Sequence, residues 1–393
     1  MTALDRLSAA LRDIDCDSFA SKEERLKAED LLRSALHKVQ SPWDITWAHN
    51  WVHPTTHAAI KTLIDAGVFK KWAEHGSQPA TSSKLAELTN TDPALIARLV
   101  RHLAAQHLLV ETAEDMYMPT PWATTLGTDP ALPSCYGSFY KDINNGMARE
   151  VPEFLKKTGY KNPTDDKNGV VQHMFGPDVS FFGYVAFDPV LTKEMRDAME
   201  CHSKWNLTAW TELFPTETLL KDAKPGQPIV VDVGGSKGHD LEKFRLKHPE
   251  VPRGSLVLQD LPTVLQDLET PHESIVKCPY DFFTPQPLRG ARAYVMHVVL
   301  HDWPNEPATT MLRNVADAME KGYSKLLIHE SMVDNINPPS RVTTSDMTML
   351  INLSAAERTV KEWHELIATA GLKVVKIWKR PAAVDGVIEV ELI

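Results

Sequence analysis

Several things are missing from this 393-residue sequence, and each removes a class of function. Its four cysteines, Cys16, Cys135, Cys201 and Cys278, stand far apart. None makes the CxxC spacing of a metal or redox site, so reduced thiols in a cytoplasmic protein are expected. No apolar run approaches the ~20 residues that cross a bilayer. The opening stretch, "MTALDRLSAALRDIDCDSF", places charges where a signal peptide needs an apolar core. There is no long basic run, and the formal net charge is -10. Nucleic acid and anionic membrane are therefore poor partners. Internal repeats and low-complexity segments are absent as well.

What is present suits a large globular protein. The chain is 43% hydrophobic and 24% charged, and it is longer than one core usually spans, so two domains are expected. Residues 4–40 read as helix, broken near Asp15. After His53-Pro54 a helix runs to Gly67. Thr81 to Ser83 caps a short helix, "NTDP" is a turn, and Ile96 to His107 is a second amphipathic helix. "LLVETAEDMYMPT" reads as a hairpin around Ala113 to Asp115. Helix, turn, helix and hairpin form a winged-helix pattern. The pattern is best known from DNA binding, but this one lacks a dense basic face, which favours packing or dimerisation. A non-enzymatic winged-helix regulator is thus the weakest reading.

From Ile229 onward strands alternate with helices, the rhythm of a doubly wound α/β sheet. "KVVKIWK" and "GVIEVELI" have no helix between them and are expected to pair antiparallel at the sheet edge. The expected division is residues 1–125, helical and winged-helix-like; 126–205, a helical connector; and 206–393, the α/β domain.

Ligands of open α/β sheets bind at the carboxyl ends of the strands. The first strand ends in "VDVGGSKGHD", where Gly234, Gly235 and Gly238 permit close backbone approach. The GxGxxG fingerprint is incomplete and the Walker pattern is missing. Asp232, just before the turn, suits a cationic ligand better than a pyrophosphate. The second strand ends in Asp260, at the separation where an acid takes ribose hydroxyls. The third ends in Asp281-Phe282, an acid beside an aromatic. A nucleoside without phosphates and with a cationic tail fits all three, and S-adenosylmethionine meets that description. Taken singly, each feature is as well explained by a turn or a helix cap.

"VDVGGSKG", "LQDLP", "YDFF", "LHDW" and "ERT" occur in one order along the chain. In this the sequence resembles the class I S-adenosylmethionine-dependent O-methyltransferases of plant caffeate-type and fungal secondary-metabolism enzymes. The resemblance implies a Rossmann-like methyltransferase sheet, an N-terminal dimerisation domain, a homodimer and a small-molecule acceptor. It places Gly234 on the methionine part of the cofactor, Asp260 and Leu261 on the ribose, and Asp281 and Phe282 around the adenine. His297 stands where many relatives carry Lys or Arg near the cofactor. His301 matches the catalytic base, and Glu330 and Glu357 match the two carboxylates that hold it. Met195, Met199, His202, Met349 and Asn352 match positions lining the acceptor pocket.

The chemistry agrees. A phenol has a pKa of about 10, so a neutral imidazole must take its proton as attack proceeds. Strand periodicity puts His297 on the same face as His301 but deeper, and His329 opposite Glu330, as a structural residue. Val298 and Leu300 read as strand. No metal-ligand spacing is present, which disfavours a metal-dependent mechanism. The alternative within the fold is a pericyclase or dehydratase. Fungal relatives of that kind use the bound cofactor's charge without transferring its methyl group.

Overall fold

The computed structural model describes residues 2–205, 208–266, 268–270, 272–380 and 383–393. Its N-terminal part is helical. Thr2 and Ser21 cap helices Ala3–Leu11 and Lys22–Val39, each accepting a backbone N–H with its side chain. A helix then starts at Pro42 and runs to Asp65 with one irregularity, a π-turn over Ala48–Val52. The cause is Pro54, which lacks the N–H that residue 50 would bond; widening the preceding turn keeps the axis going. His53-Pro54 therefore punctuates the helix without starting it.

The winged-helix-like unit follows. Strand β1 (Ala80–Thr81) leads to helices Ser82–Thr89 and Pro93–Ala105, capped by Thr81 and Asp92, and then to β2 (Leu109–Ala113) and β3 (Met116–Pro119). The three strands form one sheet in the order β1-β3-β2. Leu63, Trp72, Val100, Leu103 and Tyr117 make its core.

The C-terminal sheet contains β4 (Val230–Val233), β5 (Leu256–Asp260), β6 (Ile275–Pro279), β7 (Ala293–His297), β8 (Lys325–Val333), β9 (Arg358–Thr359), β10 (Leu372–Trp378) and β11 (Asp385–Leu392). The order is β10-β11-β8-β7-β4-β5-β6, with β9 pairing β8. The last two strands form the expected antiparallel edge. Strand β4 is buried throughout, and β5 and β7 up to their last residues, as continuous apolar runs imply for strands covered on both faces. From β4 the chain steps to β5 and β6 on one side and later to β7 and β8 on the other. The crevice where the order reverses thus opens beside Gly234.

Between the two units, helices Asn145–Lys157, Phe181–Phe187 and Pro189–Trp205 pack with Ser340–Leu353 around Ile143, Met147, Phe181 and Leu191. No helix among the described residues is long and apolar enough to cross a membrane.

Candidate active site

Strand β7 ends at His297, and the backbone then breaks. Val298 takes φ of 55°, a left-handed conformation disfavoured for a β-branched residue. Leu300–Asp302 follow as a turn of 3-10 helix. Val298 and Leu300 are therefore not strand residues, and the expected alternation fails at this point. His297 and His301 do not share a face. His297 stacks on His329, with ring centroids 4.0 Å apart, whereas His301 joins Glu330, the neighbour of His329 that points the other way.

His301 is 6% exposed. Its Nδ1 lies 2.8 Å from Glu357 Oε1 and 3.8 Å from Glu330 Oε2, and its Nε2 lies 3.4 Å from Asp302 Oδ1. The two glutamates do different work. Glu357 Oε1 meets the imidazole directly and accepts the Ser345 hydroxyl at 2.6 Å. Glu330 Oε1 accepts the backbone N–H groups of Val299 at 2.9 Å and Leu300 at 2.8 Å, with that of His301 at 3.4 Å. Glu330 is thus first the anchor of the loop. Arg358 fixes the same loop from below, donating to the carbonyls of Leu300 and Trp303 and to Asn305 Oδ1.

Burial alone would lower the imidazole, but Glu330, Asp302 and Glu357 together push His301 up to about 10. Burial pushes Asp302 up to about 7 against the pull of His301. Burial works to raise Glu357 too, yet the charge and hydrogen bond of His301, with Ser345, hold it below the usual range. The resting site accordingly holds an imidazolium among carboxylates.

One nitrogen of His301 and one oxygen from each of Glu330 and Glu357 lie within 4.8 Å of one another, a grouping that could hold a metal ion. This corrects the expectation from sequence spacing, because the ligands come from three elements distant in the chain. One oxygen of each glutamate is engaged, Glu330 Oε1 by backbone N–H groups and Glu357 Oε1 by Ser345 and His301, while Glu330 Oε2 and Glu357 Oε2 are buried without a hydrogen-bond partner. The engaged oxygens fix the loop and the imidazole. Chelators are expected to leave turnover unchanged, and inhibition by EDTA reversed by a divalent metal would contradict this.

The other predicted residues gather at the β4–β7 crevice. Gly234 has φ of 76°, and a Cβ there would lie 3.0 Å from Val299 Cγ2. At Gly235 a Cβ would lie 2.4 Å from Asp232 Oδ2 and 2.6 Å from Leu258 Cδ1, so the turn closes directly over the Asp232 carboxylate. Gly238 is left-handed and starts helix His239–Lys247. Asp232 Oδ2 is buried without a partner, and burial with the neighbouring Asp240 raises Asp232 well above the carboxylate range. Asp260 accepts the N–H groups of Ser236 and Leu261, both at 2.8 Å. Each oxygen accepts one N–H and keeps a further lone pair, beside the exposed Leu261. Asp281 lies beyond the end of β6 and accepts the Phe283 N–H at 3.0 Å. The Phe282 ring centroid is 6.0 Å from that of Trp303. Hydroxyl-binding geometry at Asp260 and an aromatic wall at Phe282 fit a nucleoside.

On the acceptor side, Ser345, Met349 and Asn352 recur at i, i+4 and i+7 along helix Ser340–Leu353, so one face carries all three. Asn352 is 4% exposed. Its Nδ2 donates to Asn144 Oδ1 at 3.1 Å, and its own Oδ1 has no partner. Met195, Met199 and His202 have the same spacing on helix Pro189–Trp205. Burial, then the charges of His301 and His297, lower His202 to about 4, so it faces them as a neutral ring. Met195 packs into the apolar cluster, while Met199 is 43% exposed. A cavity of about 690 Å³ lined by His57, Tyr140, Arg149 and Tyr184 contains none of these residues.

Sequence reasoning missed Ser345, Arg358, Asn144 and Asp240. Arg358 stood within "ERT" beside Glu357. The others had no local signal.

The chain is similar to known proteins. The O-methyltransferase domain family matches residues 162–373, and the O-methyltransferase dimerisation domain family matches residues 55–129. O-methyltransferase mfmE of Annulohypoxylon moriforme is 39% identical over 386 residues, 98% of this chain and 95% of that protein. O-methyltransferase ATR12 of Stachybotrys chlorohalonatus is 35% identical over 400 residues, 99% of this chain and 97% of that protein. Among solved structures, LepI in complex with SAM is 26% identical with a TM-score of 0.87, covering 100% of this chain and 98% of that one. OxaC in complex with sinefungin and meleagrin is 25% identical with a TM-score of 0.81, covering 99% and 98%.

Proposed function

Because the chain belongs to the O-methyltransferase family and takes S-adenosylmethionine as its cofactor, we propose that His301 is the base that activates a hydroxyl of a small aromatic or polyketide-type secondary metabolite. The observation that carries this is the buried His301 ring, clamped by Glu357 and carried on the Glu330-anchored loop. We propose Asp232, Gly234, Gly235, Gly238, Asp260, Leu261, Asp281, Phe282 and His297 as the cofactor site. Met195, Met199, His202, Met349 and Asn352 are the proposed acceptor side.

Bound there, S-adenosylmethionine supplies an electrophilic methyl group on a sulfonium whose leaving group is a neutral thioether. The protein must supply alignment and an activated oxygen. Glu357 on Nδ1 fixes the tautomer that leaves Nε2 to take the acceptor proton, and it stabilises the imidazolium that results. Asp302 beside Nε2 gives that proton an exit. The surrounding carboxylates oppose the neutral ring, so His301 must shed its resting proton before each cycle. Asn352 Oδ1, buried and unpartnered, is available to a donor on the acceptor.

The imidazolium also favours a second reading within this fold. An acid in this position would protonate a leaving hydroxyl in a dehydration or pericyclic sequence. The test is to incubate the protein with S-adenosylmethionine and candidate phenolic or enolic acceptors. Stoichiometric S-adenosylhomocysteine is expected; product formed with the cofactor unconsumed would support the second reading and overturn the first. Gly235→Ala should push the Asp232 carboxylate aside and weaken S-adenosylhomocysteine binding by about tenfold or more, read by calorimetry.

The divisions at residues 125 and 205, a cytoplasmic location and a homodimer belong to the same reading. The dimer is supported by the dimerisation-domain match and by helices Lys22–Val39 and Pro42–Trp47, which bury no residue and expose Leu31, Leu36, Trp43 and Trp47.

A further inference from the structure

Beneath the glycine turn lie four titratable side chains that no step above uses in full. His297 and His329 are paired in register on β7 and β8, and their rings stack 4.0 Å apart at 22°. Each is clamped from outside: Asp240 Oδ2 hydrogen-bonds His297 Nδ1, and Asp385 Oδ2 lies 2.7 Å from His329 Nε2. Asp385 also accepts the Thr208 N–H at 3.1 Å. The inward nitrogens, His297 Nε2 and His329 Nδ1, are buried without partners, as is Asp232 Oδ2. A packed apolar cluster would cost less to bury than four such groups, so the arrangement points to a use.

Two face-to-face imidazoles this close cannot both be cationic at low cost. The surroundings decide which one holds the proton. Around His297 stand Asp240 and Lys243 on helix His239–Lys247, Asp232 on β4, Glu330 on β8 and His202 on helix Pro189–Trp205. Around His329 stand Asp385 on β11 and, through space, Asp240 and His297 itself. Burial opposes charge on both rings. Asp240 and Glu330 overcome it at His297, whereas at His329 burial and the His297 charge prevail.

We propose that Asp240 is a positioning residue for cofactor binding: through its hydrogen bond to Nδ1, with His329 as a neutral platform, it keeps His297 protonated and turns Nε2–H toward the carboxylate of the cofactor's amino-acid end. The site thus meets the carboxylate of the cofactor's amino-acid end with the His297 N–H. This rests on the cofactor placement proposed above. It adds a dependence that placement alone does not imply, because affinity must fall as pH rises through the titration of His297. Asp240 is needed to hold that fall above the ordinary imidazole range.

The test is calorimetric binding of S-adenosylhomocysteine, which does not turn over, from pH 6 to 9. Wild-type affinity should hold beyond the ordinary imidazole pKa of about 6.5 and fall at higher pH. In Asp240→Asn the fall should begin at lower pH, so that above both titrations affinity is about tenfold weaker than wild type for each unit of displacement. The ligand's own amine titrates identically in both and cancels. Adding His297→Lys to Asp240→Asn, which supplies a cation that needs no clamp, should restore binding at pH 7.5. Identical pH profiles for wild type and Asp240→Asn would overturn the proposal. The placement itself is checked apart from this: if Asp260→Ala and Gly235→Ala bind as wild type does, the placement fails, whereas their weakened binding beside an unchanged Asp240→Asn profile condemns only the proton-holding role. Should Asp240→Asn not fold, histidine-selective nitrogen-15 spectra of the wild type still decide. A doubly protonated ring at pH 7.5 that disappears in His297→Gln is expected, and a neutral His297 would refute it.

Discussion

His301→Ala is expected to lower kcat by about 10²–10⁴-fold, the usual contribution of a positioned base. The reason is the proton. A phenolic acceptor with a pKa of about 10 is almost wholly un-ionised at neutral pH, and Nε2 of His301 is the nitrogen left free by the Glu357 bond on Nδ1. The variant should keep S-adenosylhomocysteine affinity within a few-fold, because His301 lies across the Val299 loop from Gly234 and not in the glycine turn. It should also lose the acid limb of the pH–rate profile. In the wild type that limb arises because only the neutral ring accepts a proton. Its midpoint should fall between the ordinary 6.5 and the value of about 10 set by Glu330, Asp302 and Glu357 against burial. Stability has the opposite dependence. A group raised on folding contributes fully below about 6.5, and that contribution disappears as pH climbs through about 10. His301→Ala leaves Glu330 and Glu357 without their cation, so His301→Gln, a neutral companion, should be measured beside it. An unchanged kcat in both variants would remove His301 from the base role.

Much of this site was legible in the sequence because it follows strand ends. Asp232 and Asp260 lie in the last two residues of their strands and the Gly234–Gly235 turn directly follows the first, and strand alternation fixes where such residues emerge. Helical spacing likewise aligned Met195 with His202 and Met349 with Asn352. What could not be read was anything made by the backbone leaving its regular path. Val298, in a left-handed conformation, rotates His301 away from the face of His297. A β-branched residue gives no warning of that conformation, since its own preference is against it. The distinct roles of Glu330 and Glu357 were hidden for a related reason: both are acids at the rim, and only the loop shows that one of them binds N–H groups. Asp240 and Asp385 were invisible because their partners, His297 and His329, are distant in sequence.

The left-handed Val298 leads to the second large effect, that of Glu330→Ala. A residue of this type in that region costs about 1–3 kcal/mol, so the loop needs holding. Glu330 Oε1 and Arg358 both hold it, the first through the N–H groups of Val299 and Leu300, the second through the carbonyls of Leu300 and Trp303. Removing the carboxylate leaves those two N–H groups buried without acceptors, at about 1–3 kcal/mol each. The expected loss is therefore about 2–6 kcal/mol of stability, read as a lowered denaturant midpoint, together with turnover reduced to the level of His301→Ala. Glu330→Gln separates anchoring from charge. Its amide oxygen still accepts the two N–H groups, so most of the stability should remain. Its neutral head no longer supports the His301 proton, so the acid limb of the pH–rate profile should move to lower pH. Equal destabilisation in both variants would mean that the loop depends on the charge of Glu330 rather than on its hydrogen bonds.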